Sequence, residues 1–191
     1  MDTRKQTKVT DQNQFDFFQT VYYHQNESKE QLVNLDSVVE PTIVMIDCCG
    51  WHYKKLYPDR HIVGLEPIKG VKQFALDRTY FDQLIDNQSD QRIGWPAIDL
   101  GQLAVVFDRS PLLKYFTLKQ LSDQLNIVAV KYKPSTVILE QSLTFVDDSR
   151  LSDRFYRIAT LAIDGYVVNR FSYNTDTMRL SIRFQQKVNT P

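Results

Sequence analysis

The sequence is poor in cysteine, histidine and glycine, carries no excess charge of either sign, and contains no long apolar run. Its two cysteines, Cys48 and Cys49, are adjacent, and neighbouring residues reach ordinary disulfide geometry only with severe backbone strain. A disulfide scaffold is therefore excluded, and both thiols are expected free, as small apolar groups in a reducing compartment. The three histidines, His24, His52 and His61, lack any ligand spacing, so no metal site is expected. No Gly-x-x-x-x-Gly-Lys-Ser/Thr loop, Gly-x-Ser-x-Gly elbow or His-Glu-x-x-His helix occurs, which removes nucleotide hydrolysis by a P-loop, the usual hydrolase fold and zinc proteolysis. Lys plus Arg and Asp plus Glu both number 23, so no global field draws the chain to nucleic acid or anionic lipid. The longest apolar runs, 42–46 and 103–107, fall far short of the roughly 20 residues that span a bilayer as a helix. Met1-Asp2-Thr3-Arg4-Lys5 leads into polar residues rather than a secretory core, and the chain reads as a soluble cytoplasmic protein, cellular or viral, without a membrane partner.

What is present is enough apolar sequence, 42% of 191 residues, for one sizeable core. A polar arm is expected over 1–10, a single α/β domain over 11–187 and a tail over 188–191. Apolar residues at helical spacing from Phe15 predict a first helix ending near 24–26. Ser28-Lys29-Glu30-Gln31 has the form of a capping box, so a second helix is expected through Val33, Leu35 and Val38 to Pro41. Residues 42–46 read as a doubly buried strand, 51–57 as a short helical turn and 61–65 as a second strand. Helix is predicted over 69–85, a weak third strand over 92–98, a strong strand over 103–107, helix over 117–125 and a fifth strand over 126–130. Helix over 150–163 then precedes two alternating runs, 166–173 and 178–184, joined by Asn174-Thr175-Asp176-Thr177, an antiparallel hairpin. The resulting fold class is α/β: a Rossmann-like, mostly parallel sheet with a C-terminal antiparallel β-hairpin and two N-terminal helices.

Ligands of open α/β sheets collect beyond the carboxyl ends of the strands. The residues there are Asp47 to Trp51, Glu66-Pro67, Asp108 to Pro111 and, after the predicted fifth strand, Lys131 to Pro134. A carboxylate closing the second strand presents two oxygens side by side, suited to both hydroxyls of a ribose, and Glu66 stands there.

Asp47-x-x-Gly50 after the first strand, Gly64-Leu65-Glu66-Pro67 ending the second, Trp95-Pro96 ahead of 103–108 and the terminal hairpin together resemble the class I S-adenosylmethionine-dependent methyltransferases. The resemblance covers 42–187, by order of elements more than by identity. It implies S-adenosylmethionine as cofactor, with Asp47 and Gly50 in its amino-acid-binding loop and Glu66 on its ribose. The family's Asp/Glu-x-Gly-x-Gly loop is degenerate here: Cys49 and Trp51 take the places of its glycines. Trp51 then stacks on the ligand, swings outward, or belongs to a pocket filled by protein. The resemblance further implies Asp108 and Tyr115 as residues that position and flank an N or O acceptor, in a loose echo of the family's pattern. The alternative is a catalytically silent descendant of the fold, a structural or regulatory subunit that binds a protein partner. Phe15, Phe17, Phe18, Tyr22 and Tyr23 exceed what one buried stripe requires, and they make the first helix the expected partner contact or a cap on the site. The basic clusters Arg4-Lys5-Lys8, Lys54-Lys55 and Lys131-Lys133, with Tyr53, Tyr57 and Tyr132 interleaved in the last two, would suit phosphates of a nucleic acid, and solvated charge around a core is the preferred reading of them.

Overall fold

In a computed structural model, the structure describes residues 33–46, 51–66, 81–86, 100–108, 117–142, 155–156, 158–176 and 178–187. The described elements are β1 (Thr42–Ile46), α1 (Trp51–Leu56), β2 (His61–Glu66), β3 (Gln83–Asp86), β4 (Leu103–Asp108), α2 (Leu118–Tyr132), β5 (Thr136–Ser142), β6 (Tyr166–Asn174) and β7 (Arg179–Gln186). One seven-stranded sheet runs β3-β2-β1-β4-β5-β7-β6. β1 to β5 pair in parallel, and β7 is antiparallel to both β5 and β6. The α/β class, the parallel sheet and the terminal hairpin thus stand as the sequence implied.

Alternation along the strands splits the core into two layers. Val44, Ile46, Val63, Leu65, Val105, Phe107, Val137 and Leu139 face α2, which contributes Leu121, Leu125, Val128, Ala129 and Tyr132. Ile43, Met45, Ile62, Ala104, Val106 and Ile138 face the other way, onto Tyr53 of α1 and the segment bearing Val33, Leu35 and Val38. All five residues of β1 are buried, as a strand covered on both faces must be.

Three expectations are corrected. Residues 33–40 form no helix: the Asn34 side chain accepts from the Asp36 N–H at 2.8 Å, and the Val38 N–H donates to the Leu35 carbonyl at 2.9 Å, closing a turn. Tyr53 and Tyr57 take this segment's amides instead, their hydroxyls accepting from Val33 N–H at 2.7 Å and Leu35 N–H at 3.1 Å. Arg60 fastens it further by donating to the carbonyls of Val38, Val39 and Glu40 at 2.8, 3.2 and 2.8 Å. Second, Leu84 and Ile85 lie in β3, not at the end of a helix. Third, 126–130 is the second half of α2 rather than a strand, and the fifth strand is Thr136–Ser142. β-branched propensity lost there to a continuous buried stripe at 121, 125, 128, 129 and 132, spaced for one helix face, while Ile127 and Val130 remain on the outer side.

Helix α2 starts where its capping signal lies. The Thr117 hydroxyl accepts from the Gln120 N–H at 3.2 Å and the Gln120 side chain accepts from the Thr117 N–H at 2.9 Å. It ends on Lys133 in the left-handed region at φ 45°, followed by Pro134. The helical residues Phe155, Tyr156, Ile158 and Ala159 give way to a turn at Thr160, so the helix stops four residues before the predicted end at 163. The predicted first helix, the strand at 92–98, the arm and the tail lie outside the described residues.

The first turn of β2 is tied to the start of β3 through Asp82. Its carboxylate meets Lys54 Nζ at 2.8 Å and accepts from the Ile62 N–H at 2.8 Å, while Lys54 also donates to the carbonyls of Pro58 and Arg60. Burial works to raise the Asp82 carboxyl, but the Lys54 ammonium and the Ile62 amide outweigh it and hold the group below its ordinary value. A depressed folded-state value means stabilisation that is complete above the unfolded carboxylate range and lost as pH falls through the lower, folded one. Asp82→Ala should therefore lower stability by about 1–2 kcal/mol at neutral pH, with the gap to wild type closing on acidification below that range. Urea titrations of both proteins across pH check this; a gap that stays constant into acid contradicts it.

Candidate functional site at the carboxyl rim

Register places the strand ends in rows. Ile46 is opposite both Leu65 and Phe107, so Glu66 and Asp108 each stand one residue beyond β1's neighbours, at the same rim. Glu66 is in turn opposite Asp86 of β3, and Asp108 is opposite Glu140 of β5. The backbones of Glu66 and Asp108 are two strand spacings apart, about 10 Å. From β1 the chain goes outward to β2 and β3, then returns to β4 and β5 on β1's other side. The crevice between β1 and β4 is thus the topological switch point, where ligands of open α/β sheets bind.

Several features tune this rim. Gly64, two residues before Glu66, lies where a Cβ would approach Leu84 Cδ1 to 2.7 Å and the Phe81 ring to 2.9 Å, so β2 and β3 close tightly only because this position is bare. Trp51 is the first residue of α1, at the helix end that follows β1. Glu140 is 6% exposed and paired with Arg179 Nη1 at 3.0 Å, so the acid opposite Asp108 is engaged by the hairpin. The hairpin turn, 174–178, stands on the same rim because β6 runs parallel to β5.

Of the residues expected to form the site, Glu66 ends β2 and Asp108 ends β4, at the rim as required. Asp47, Gly50 and Tyr115 lie outside the described residues, as do Cys48 and Cys49 and the aromatic residues of the predicted first helix. The basic pairs do not belong to this rim. Lys54 is bonded beside the amino end of β2, and Lys133 caps α2 just before β5 begins. With the fifth strand moved to Thr136–Ser142, Lys131 to Pro134 precedes a strand instead of following one, and α1 and α2 lie on opposite faces of the sheet. The pattern that would have suited nucleic acid is therefore divided between two faces at the opposite rim. Sequence reading missed Glu140 and Arg179, and with them the polar face of the hairpin, because no fifth strand was expected at 136–142. Thr136-Val137-Ile138-Leu139 after Pro134 was the signal that could have found it.

Among the described residues, no group of three or more His, Cys, Asp or Glu is placed to hold a metal ion, and no helix is long and apolar enough to cross a membrane.

No protein-family model matches the sequence, and no curated protein matches it. By structure the chain is similar to a TehB-like SAM-dependent methyltransferase from Corynebacterium glutamicum, with TM-score 0.56 and 11% identity over 93% of this chain and 98% of that one. It is similar to an rRNA methylase from Escherichia coli, with TM-score 0.52 and 10% identity over 92% of this chain, and it spans 64% of that protein's length. It is also similar to a Rhodobacter sphaeroides protein described as a candidate Zn-dependent alcohol dehydrogenase, with TM-score 0.59 and 11% identity over 93% of this chain and 98% of that one. At such identities the likeness is one of fold: the chain has a class I methyltransferase-like, Rossmann-like fold. Antiparallel β7 between β5 and β6 departs from the all-parallel dinucleotide-binding sheet.

Proposed function

We propose that this chain binds S-adenosylmethionine at the carboxyl rim, across the switch point between β1 and β4, and presents it to an N or O acceptor. The observation that carries this reading is the placement of Glu66 as the last residue of β2, one strand from the crevice, in a sheet of order β3-β2-β1-β4-β5-β7-β6. The residues present fit such a group, since an acid is available at the ribose position and the crevice is flanked by a second strand-end acid, Asp108.

In this reading Glu66 accepts hydrogen bonds from the two ribose hydroxyls, and its fixed charge favours them over water. Asp47 takes the cofactor's ammonium group, and Gly50 lets the backbone approach its amino-acid end. Asp108 accepts a hydrogen bond from the acceptor N–H or O–H and holds its lone pair toward the crevice, while Tyr115 flanks the acceptor. When bound, the cofactor supplies an electrophilic methyl group on a sulfonium. The protein's part is mainly alignment and exclusion of water, which needs little acid–base machinery.

Trp51 favours a second reading. An indole heads α1, and Cys49 and Trp51 stand where the resembling family carries glycine. A rim whose first loop is filled by protein would leave the fold as a silent, partner-binding subunit.

Thermal shift and calorimetry with S-adenosylmethionine and S-adenosylhomocysteine separate the two. At about 100 times its dissociation constant a ligand stabilises the folded state by about 2.7 kcal/mol, roughly 5–10 °C for a chain of this size. Absence of any shift at millimolar ligand rejects the cofactor reading and leaves the silent one.

A further inference from the structure

The C-terminal hairpin carries a feature outside the carboxyl crevice. On the face away from α2, Arg170 of β6 is opposite Arg183 of β7, and Ser172 is opposite Ser181 in the next row on the same face. Two like charges directly opposite each other in an antiparallel pair destabilise the sheet. The register that pairs them is not the simple continuation of the ladder. Val168 is opposite Phe184, so an unbroken ladder would set Asn169 against Arg183; an irregularity between Val168 and Arg170 shifts the strand and sets Arg170 there instead. Bulges that re-aim one side chain in this way recur next to functional sites.

The surroundings offset only part of this charge. Arg183 donates to the Ser37 hydroxyl at 2.5 Å and to the Asn34 carbonyl at 3.2 Å, both neutral. Glu140, the carboxylate bordering the groove beside Ser181, is engaged by Arg179 at 3.0 Å. Glu40 beneath is 2% exposed, accepts from Thr136 at 2.7 Å, and offsets part of the charge of Arg183. Burial and then the charge of Arg170 lower the proton affinity of Arg183, as a like charge across the ladder does. Arg170 itself is exposed, and no ion pair or hydrogen bond holds it among the described residues. Arg170, Ser172, Ser181 and Arg183 line one open groove of about 540 Å³, together with the Glu140–Arg179 pair and, at its hairpin-turn end, Asp176, so its arginines outnumber its carboxylates three to two.

We infer that this quartet is a binding site for a phosphate group, in which two guanidinium groups supply charge and forked N–H donors and two hydroxyls complete the cradle. The ligand class is a phosphorylated molecule, free or as part of a phosphodiester chain. An oxyanion between the arginines turns their mutual repulsion into shared attraction, and planar guanidinium donors match its oxygens two at a time. The groove is built on the hairpin and its neighbour β5 rather than on β1, β2 and β4, so its ligand is tested separately from the cofactor reading.

Calorimetric titration of the full chain with inorganic phosphate and pyrophosphate, at low ionic strength against a chloride control, tests it. Wild type should bind pyrophosphate more tightly than phosphate, and Arg170→Gln should weaken that binding at least tenfold, with Ser172→Ala giving a smaller loss. Arg170 is exposed on the outer face of the hairpin, so the variant should fold, and circular dichroism checks that it does. Without ligand, Arg170→Gln should melt slightly higher than wild type, because the like-charge pair is relieved; a purely structural arginine would lower it. A single-stranded oligoribonucleotide distinguishes the source. Tighter binding than pyrophosphate, with a salt slope reduced by about one in the variant, assigns a phosphodiester chain. Binding no tighter than pyrophosphate assigns a small phosphorylated ligand. Equal affinities of wild type and Arg170→Gln, or no binding of either ion at millimolar concentration, overturn the inference.

Discussion

Truncating Phe107 to alanine should destabilise the fold by about 3–5 kcal/mol, a loss of roughly 6–20 °C in melting temperature. Phe107 is completely buried, on the α2 side of β4, opposite Ile46 in the strand at the centre of the sheet. Removing the ring withdraws its apolar surface from the core and leaves a cavity between a rigid sheet and a helix held by its own capping box, neither of which collapses easily. Against the 5–15 kcal/mol of total stability usual for a domain, that is a large fraction. The effect also reaches the rim, because Asp108 follows directly. Urea unfolding checks it, and a cost under about 1 kcal/mol would show that this layer is not closely packed.

The second large effect concerns the ligand. If the ribose is held as proposed, Glu66→Ala removes two charge-assisted hydrogen bonds, each worth about 1.5–3 kcal/mol, and affinity for S-adenosylhomocysteine should fall by roughly 100-fold or more. Glu66→Gln keeps one carbonyl oxygen but adds donors and removes the charge, so an intermediate loss is expected. Melting temperatures without ligand should hardly move, since Glu66 is the terminal residue of its strand. Calorimetry on the three proteins reads this directly. Equal affinities would mean that the hydroxyls are bound elsewhere.

Much of the architecture was legible because the central strands carry their own signature. Thr42–Ile46 and Leu103–Asp108 are short apolar runs set between polar loops, the pattern of a strand covered on both faces. The hairpin was legible from two alternating runs around Asn174-Thr175-Asp176-Thr177. Other parts depended on partners far away in sequence. Gln83–Asp86 has only four residues, with polar ends, and its Leu84 and Ile85 continue the apolar spacing before it. It is a strand because Val63 to Glu66 offer it a ladder. Asn126-Ile127-Val128-Ala129-Val130 looks like a strand by propensity, yet it extends a helix whose buried face was already set by Leu121 and Leu125. The site divides likewise. Acids at strand ends follow from finding the strands, so Glu66 and Asp108 were within reach. The pairing of Arg170 with Arg183 was not, since it rests on a shift of register that no local pattern announces.

The most direct measurement is amide chemical-shift mapping of S-adenosylhomocysteine onto the labelled chain. Perturbations should gather at the carboxyl rim, on Ile46, Trp51, Glu66 and Asp108, and leave Thr42, His61, Leu103 and Thr136 at the opposite rim unchanged. Shifts confined to those amino-end residues, or a spectrum that ligand does not alter, would contradict the account.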